Sequence, residues 1–220
     1  MPIPDLSQGA GSLIREGQYI LANVKADPET AADAALLAGP QASLSAAVVA
    51  RREADTAAIE AAAVATRRLS AAQRAIIAFG VKAFGHYGSR TDPGYLALFP
   101  MAPSALANSA GADRAVRFAE LRKATQVDAL PQELRAAAAA LHAALGALDA
   151  AGLADGAAPT AFKAAFAQEK QATDAWQTAV RTLRGRLIML FPRDAKRVAS
   201  YFPQARARAK AAKPVVAPPA

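Results

Sequence analysis

The sequence predicts an all-α protein, an antiparallel helical bundle built from two related long-helix/short-helix repeats. Three observations predict it. Alanine supplies 63 of the 220 residues, and alanine has the best helix propensity because it loses no side-chain entropy in a helix. The larger apolar residues recur at alternating three- and four-residue steps, the period of one helical face. Finally, the two halves of the chain end alike.

From the N-terminus, residues 12–25 read as a short amphipathic helix with Leu13, Gly17, Ile20 and Val24 on one stripe. Asp27-Pro28-Glu29 reads as a helix start, Asp as the cap and Pro in the first turn, with a stop at Gly39-Pro40. A long pattern from about Ser43 to Tyr87 follows, with a possible new cap at Ser70, and Gly88 ends it. Asp92-Pro93 starts a short helix to Phe99, and Pro100 to Ser109 reads as a loop. The second half predicts a helix from about Ala112 to Thr125 and another after Leu130-Pro131, running to Ala150. A turn over Gly152–Pro159 then leads to a helix from Thr160 to Phe191, which Pro192 ends before a short helix to Phe202.

Shifted by 104 residues, the stripe Ala72, Ile76, Phe79, Ala83, Tyr87 superimposes on Trp176, Val180, Leu183, Leu187, Phe191. After a one-residue gap, residues 90–100 line up with 193–203, and both stretches end in Phe-Pro. The division this predicts is N-terminal helices in 1–40, a first repeat in 41–110, a second in 111–203 and a flexible basic Pro/Ala tail in 204–220. Ile76, Phe79, Tyr87, Phe99, Trp176, Val180, Leu183, Leu187, Phe191 and Phe202 are the expected packing anchors. With so much alanine, these few large side chains must supply most of the burial, at about 1.5–3 kcal/mol each.

Trp176, the Val180-to-Leu187 stripe, Phe191 and the ending Ala199-Ser200-Tyr201-Phe202-Pro203 before a Lys/Ala/Pro tail resemble an uncharacterised family of Ala-rich helical proteins from high-GC bacteria. The likeness covers roughly residues 160–215. It departs from the family's Phe-Gly break in having Phe191-Pro192; the first half has Tyr87-Gly88 at that point. The resemblance implies a Trp-bearing long helix that runs into a short one, and it implies no activity.

The chemical inventory is sparse. There is no Cys, which excludes thiolate chemistry and disulfides. His86 and His142 are isolated, without the Glu-x-x-His pairs of carboxylate-bridged metal sites in bundles, and no Walker or nucleophile-elbow pattern occurs. No catalytic, cofactor-binding or metal-binding residue is expected, and the reading is of a non-enzyme. The acidic groups Asp27, Glu29, Asp33 and Glu53, Asp55, Glu60 read as helix starts and solvated faces.

Charge is the one functional signal. The chain carries +8 overall, concentrated at the C-terminal end in Arg181, Arg184, Arg186, Arg193, Lys196, Arg197, Arg206, Arg208, Lys210 and Lys213. These are the candidate polyanion-binding residues, and arginine suits bidentate phosphate contacts. The expected partners are a second copy or another protein, with nucleic acid or another polyanion as the alternative met through residues 181–213. Without a basic start, an apolar leader core or an unbroken apolar run of about 18–20 residues, the expected location is cytoplasmic, with no transmembrane segment.

Overall fold

A computed structural model describes residues 9–203. These form α1 (Ala10–Ala26), a 3-10 turn (Ala31–Ala34), α2 (Ala35–Tyr87), α3 (Pro93–Leu98), α4 (Pro103–Ala107) and α5 (Gly111–Ala124). A second 3-10 turn (Val127–Ala129), α6 (Gln132–Leu190) and α7 (Ala195–Ser200) complete them. The protein is all-α, with no strand among the described residues.

Two predicted breaks do not occur. Gly39-Pro40 lies inside α2 and Gly152–Pro159 inside α6. Proline cannot donate to the carbonyl four residues back. Leu36, whose carbonyl Pro40 leaves free, is exposed, and Pro159 is exposed as well. Burial of Leu37, Gln41, Leu44 and Val48 on one face requires the helix to continue through Pro40, and tertiary packing outweighs the local stop signal. Ser70 does not interrupt α2, and α4 replaces part of the loop expected over 100–109. The stops that do hold have local causes. Gly88 ends α2 at φ +73°, donating its N–H to the Phe84 carbonyl. The Asp92 carboxylate accepts from the Gly94 and Tyr95 N–H groups at the start of α3.

The chain divides into two compact units, one made of Met1–Arg51 with Ala165–Ala220, the other of Arg52–Ala164. Each long helix therefore contributes one end to each unit. In the first unit α1 buries Leu13, Gly17, Ile20 and Val24, and α2 buries Leu37, Gln41, Leu44 and Val48. There α6 buries Trp176, Val180, Leu183 and Leu187, joined by Val198 and Tyr201. In the second unit α2 buries Ala72, Ile76, Phe79 and Ala83, and α6 buries Leu134, Ala138, Leu141 and Leu145. Phe118 and Leu121 of α5, Tyr95 and Leu98 of α3, and Phe99 complete that cluster.

The two aligned stripes thus belong to separate cores. Of the expected anchors, Ile76, Phe79, Phe99, Trp176, Val180, Leu183 and Leu187 are buried, while Tyr87, Phe191 and Phe202 are half-buried.

Two helical stretches, Ala31–Tyr87 and Gln132–Leu190, are long and apolar enough by length and composition to cross a membrane, with 28% and 22% of their apolar windows buried within the protein. The expected absence of a transmembrane segment is therefore not a property that these helices establish.

Candidate functional site

The first unit holds two polar constructions that join residues far apart in sequence. One is a buried relay. The Trp176 indole N–H donates to Gln41 Oε1 at 2.6 Å, and Gln41 Nε2 donates to the Ile14 carbonyl at 2.9 Å. An indole N–H left unpaired inside a core costs about 1–3 kcal/mol, and Gln41, only 6% exposed, satisfies it. Gly17 makes the space. A Cβ there would meet the Gln41 amide oxygen well inside van der Waals contact and Trp176 Nε1 at 2.8 Å. Glu16, beside it, has its carboxyl pushed up by burial.

The other construction fastens α7. Asp194 caps that helix by accepting from the Arg197 N–H at 2.8 Å, which sets a register burying Val198 and Tyr201. The Arg197 guanidinium then reaches Asp27 Oδ2 at 2.7 Å and Glu29 at 3.2 Å. It also lies 3.8 Å from the centre of the Phe191 ring, a cation–π contact. The Tyr201 hydroxyl donates to the same Asp27 oxygen, and its ring stacks on Phe191 at 6.4 Å. Hydrogen bonds from Tyr201 and Arg197, then from the Glu29 N–H, hold the Asp27 carboxyl down at about 2. Burial, followed by the bond to Asp27, raises Tyr201, while the bond to Asp27 raises Arg197.

This arrangement sorts the ten candidate basic residues. Arg197 is committed to Asp27 and Glu29, and Arg186 lies 3.4 Å from Asp33. The acidic group read as solvated helix starts is thus the counter-charge of the basic segment. Arg193 precedes α7, which starts at Ala195, so of the basic residues only Lys196 and Arg197 lie on that helix. Arg181, Arg193 and Lys196 are exposed and Arg184 is half-buried. Arg206, Arg208, Lys210 and Lys213 lie outside the described residues.

In the second unit, His142 sits 2.9 Å from Thr125 Oγ1, and that hydroxyl donates to the Leu121 carbonyl at 2.7 Å. The threonine proton being used, His142 Nε2 is the donor of the pair. His86 Nδ1 lies 2.9 Å from Glu133 Oε2 at the exposed start of α6. Among the described residues no group of three His, Asp or Glu side chains is placed to hold a metal ion.

Gln41 and Asp27 are the residues that sequence reasoning missed. Their partners lie 135 and between 170 and 174 positions away, and only a polar residue on an otherwise apolar 4-3-4 stripe hinted at Gln41. No protein-family model, curated protein or solved structure matches this chain.

Proposed function

We propose that this chain is a non-enzymatic structural and interaction protein, a helical bundle of two related repeats that self-associates or packs on a protein partner. It would work in the cytoplasm and offer a basic C-terminal segment to an anionic partner. The observation that carries this reading is apolar exposure. Fifteen large apolar side chains are exposed among the described residues, including Ile59 and Val81 at 66%, Met189 at 75% and Leu153 at 78%. Scattered apolar residues are ordinary on a surface, but sets on one helical face mark interaction surfaces.

Element order supports a repeat whose first copy starts at α1 rather than at residue 41, where the sequence division placed it. Helix, 3-10 turn, long helix and short helix occur as α1 to α3 and again from α5 to α7. Leu37, Gln41, Leu44, Val48 and Leu134, Ala138, Leu141, Leu145 share the same 4-3-4 spacing. In this reading each compact unit combines the opening of one repeat with the close of the other. Light scattering during size-exclusion chromatography, at low and at high salt, tests the self-association. A monomer at every concentration, with no protein partner bound, would remove the reading's basis.

The alternative is a non-specific nucleic-acid-binding protein acting through residues 181–213. Exposure of Arg181, Arg193 and Lys196 favours it. It requires binding to DNA or RNA that weakens steeply with salt and weakens again when residues 204–220 are deleted.

A further inference from the structure

Two glutamines at aligned positions of the long helices have opposite fates. Gln73 and Gln177 follow Ala72 and Trp176 at the 104-residue shift that superimposes the stripes. In the second unit the Gln73 side-chain amide donates to the Ala107 carbonyl of α4 at 3.1 Å. In the first unit Gln177 is only 5% exposed, and its Nε2 has no hydrogen-bond partner. Buried amide donors are nearly always paired, because burial has taken away their bonds to water. Gln177 also lines a groove of about 210 Å³ between Ala10 and Leu13 of α1 and the Phe166-to-Gln177 stretch of α6. We propose that residues 1–8, which lie outside the described residues, dock on this groove, with the Ser7 carbonyl accepting from Gln177 Nε2 as the Ala107 carbonyl accepts from Gln73.

Three features select this segment. First, its sequence matches the stretch that supplies the partner of Gln73. Shifted by 100 residues, Met1, Leu6, Ala10 and Gly11 fall on Met101, Leu106, Ala110 and Gly111, and Gln8 falls on Asn108. Leu106 and Ala107 are buried in the second core, and Leu6 and Ser7 align with them. Second, the connection has the right length. Ala107 stands four residues before Gly111, where α5 starts, and Ser7 stands four before Gly11 in the first turn of α1. Four residues of extended chain reach about 13–14 Å, enough to carry Ser7 about two helical turns along α6.

Third, where the two seats differ, the charges change together. In the second unit Gly80 leaves room for Pro103, since a Cβ there would meet the Pro103 ring at 2.5 Å. The residue aligned with Gly80 is the half-buried Arg184, and the segment on its side carries the acid Asp5 at the position of Ala105. A close glycine–proline contact is thus exchanged for two groups of opposite charge. The proposal takes the repeat from the reading above and is independent of its self-association.

The chain has no cysteine, so an engineered pair reports on itself alone. Gln8→Cys with Thr173→Cys, in the full-length chain under oxidised glutathione, should close an intramolecular disulfide. Closure should be at least about tenfold faster than for Gln8→Cys with Asp174→Cys, whose second site is exposed and turned about 100° round α6. Both pairs leave Gln177 intact. Leu6→Asp should also make amide hydrogen exchange over residues 10–17 at least about threefold faster while leaving residues 111–125 unchanged. Equal closure of the two pairs overturns the docking, as does unchanged exchange in Leu6→Asp. A bridge that forms only between chains gives the groove to a second copy and overturns it too. An intramolecular bridge in a chain that stays monomeric would support the docking while the self-association reading falls.

Discussion

The two compact units solve one packing problem in opposite ways. Each brings together three helices whose buried residues follow the same spacing. In the first, Trp176, Gly17 and Gln41 occupy the register positions that Ala72, Phe118 and Ala138 occupy in the second. One core is filled by an indole from the long helix, with glycine making room and glutamine satisfying its N–H. The other takes its bulk from α5 and is apolar at these positions.

The short closing helices differ in the same sense. α7 is held by an ion pair, a shared carboxylate and a stacked arginine. α3 is held by rings, with Phe79 and Tyr95 each packing on Phe99 at 5.8 and 5.6 Å. The difference shows that one helical spacing admits either a polar, geometrically exacting filling or a forgiving apolar one. The polar filling fixes its partners more narrowly, because a misplaced donor is left unpaired.

The largest test of this contrast is to remove each anchor. Trp176→Ala should cost about 3–5 kcal/mol and strand the Gln41 carbonyl, while Phe79→Ala should cost a similar amount with no polar group orphaned. Hydrogen exchange read by mass spectrometry should localise the first loss to residues 10–51 and 165–200 and the second to 72–145. Loosening spread evenly over the chain in both variants would erase the division into two cores.

Gly17→Ala comes next, at about 1–3 kcal/mol by chemical denaturation, because the added methyl has to displace the Gln41 amide. Its counterpart is Gly152→Ala in α6, where a Cβ meets nothing within 4 Å. That change should stabilise the protein by about 0.5–1 kcal/mol. A stabilising Gly17→Ala would show that the relay is looser than its geometry.

The clamp on α7 should respond to acid. Asp27 is held at about 2 in the folded protein, below its ordinary 3.8. A depressed carboxyl contributes stability that is present above the unfolded value and is lost as pH falls through the folded one. Near-ultraviolet dichroism, which reports on the Tyr201 and Phe191 rings, should therefore weaken between pH about 4 and 2. Asp27→Asn should flatten that transition, and an unchanged acid limb would assign it to another group. The smallest expected effect is that of Arg193→Gln with Lys196→Gln, which should leave stability within about 0.5 kcal/mol. If the basic segment meets a polyanion, the same pair should reduce that binding and its salt dependence.

Much of the local architecture was legible beforehand. The α1 stripe of Leu13, Gly17, Ile20 and Val24, the start of α3 at Asp92-Pro93 and the ends of α2 and α6 follow from residues within one or two turns. Pro40 and Pro159 misled because a proline stop is a local preference worth about 3 kcal/mol, and burial along the rest of a 53- or 59-residue helix outweighs it. The sorting of the basic residues was not legible. Arg197 and Lys196 are neighbours of like charge, and only their placement against Asp27 separates a clamped cation from an exposed one.

By itself the sequence determined that this chain would be helical, which faces of its helices would be apolar, and where its charge would gather. These depend on propensity and on spacing within a few residues. Tertiary structure alone decided that the two long helices run unbroken, that their aligned stripes enter different cores, and that Gln41 and Asp27 become partners of Trp176 and Arg197. Those outcomes depend on contacts between residues more than a hundred positions apart, whose value is set by geometry that no local pattern encodes.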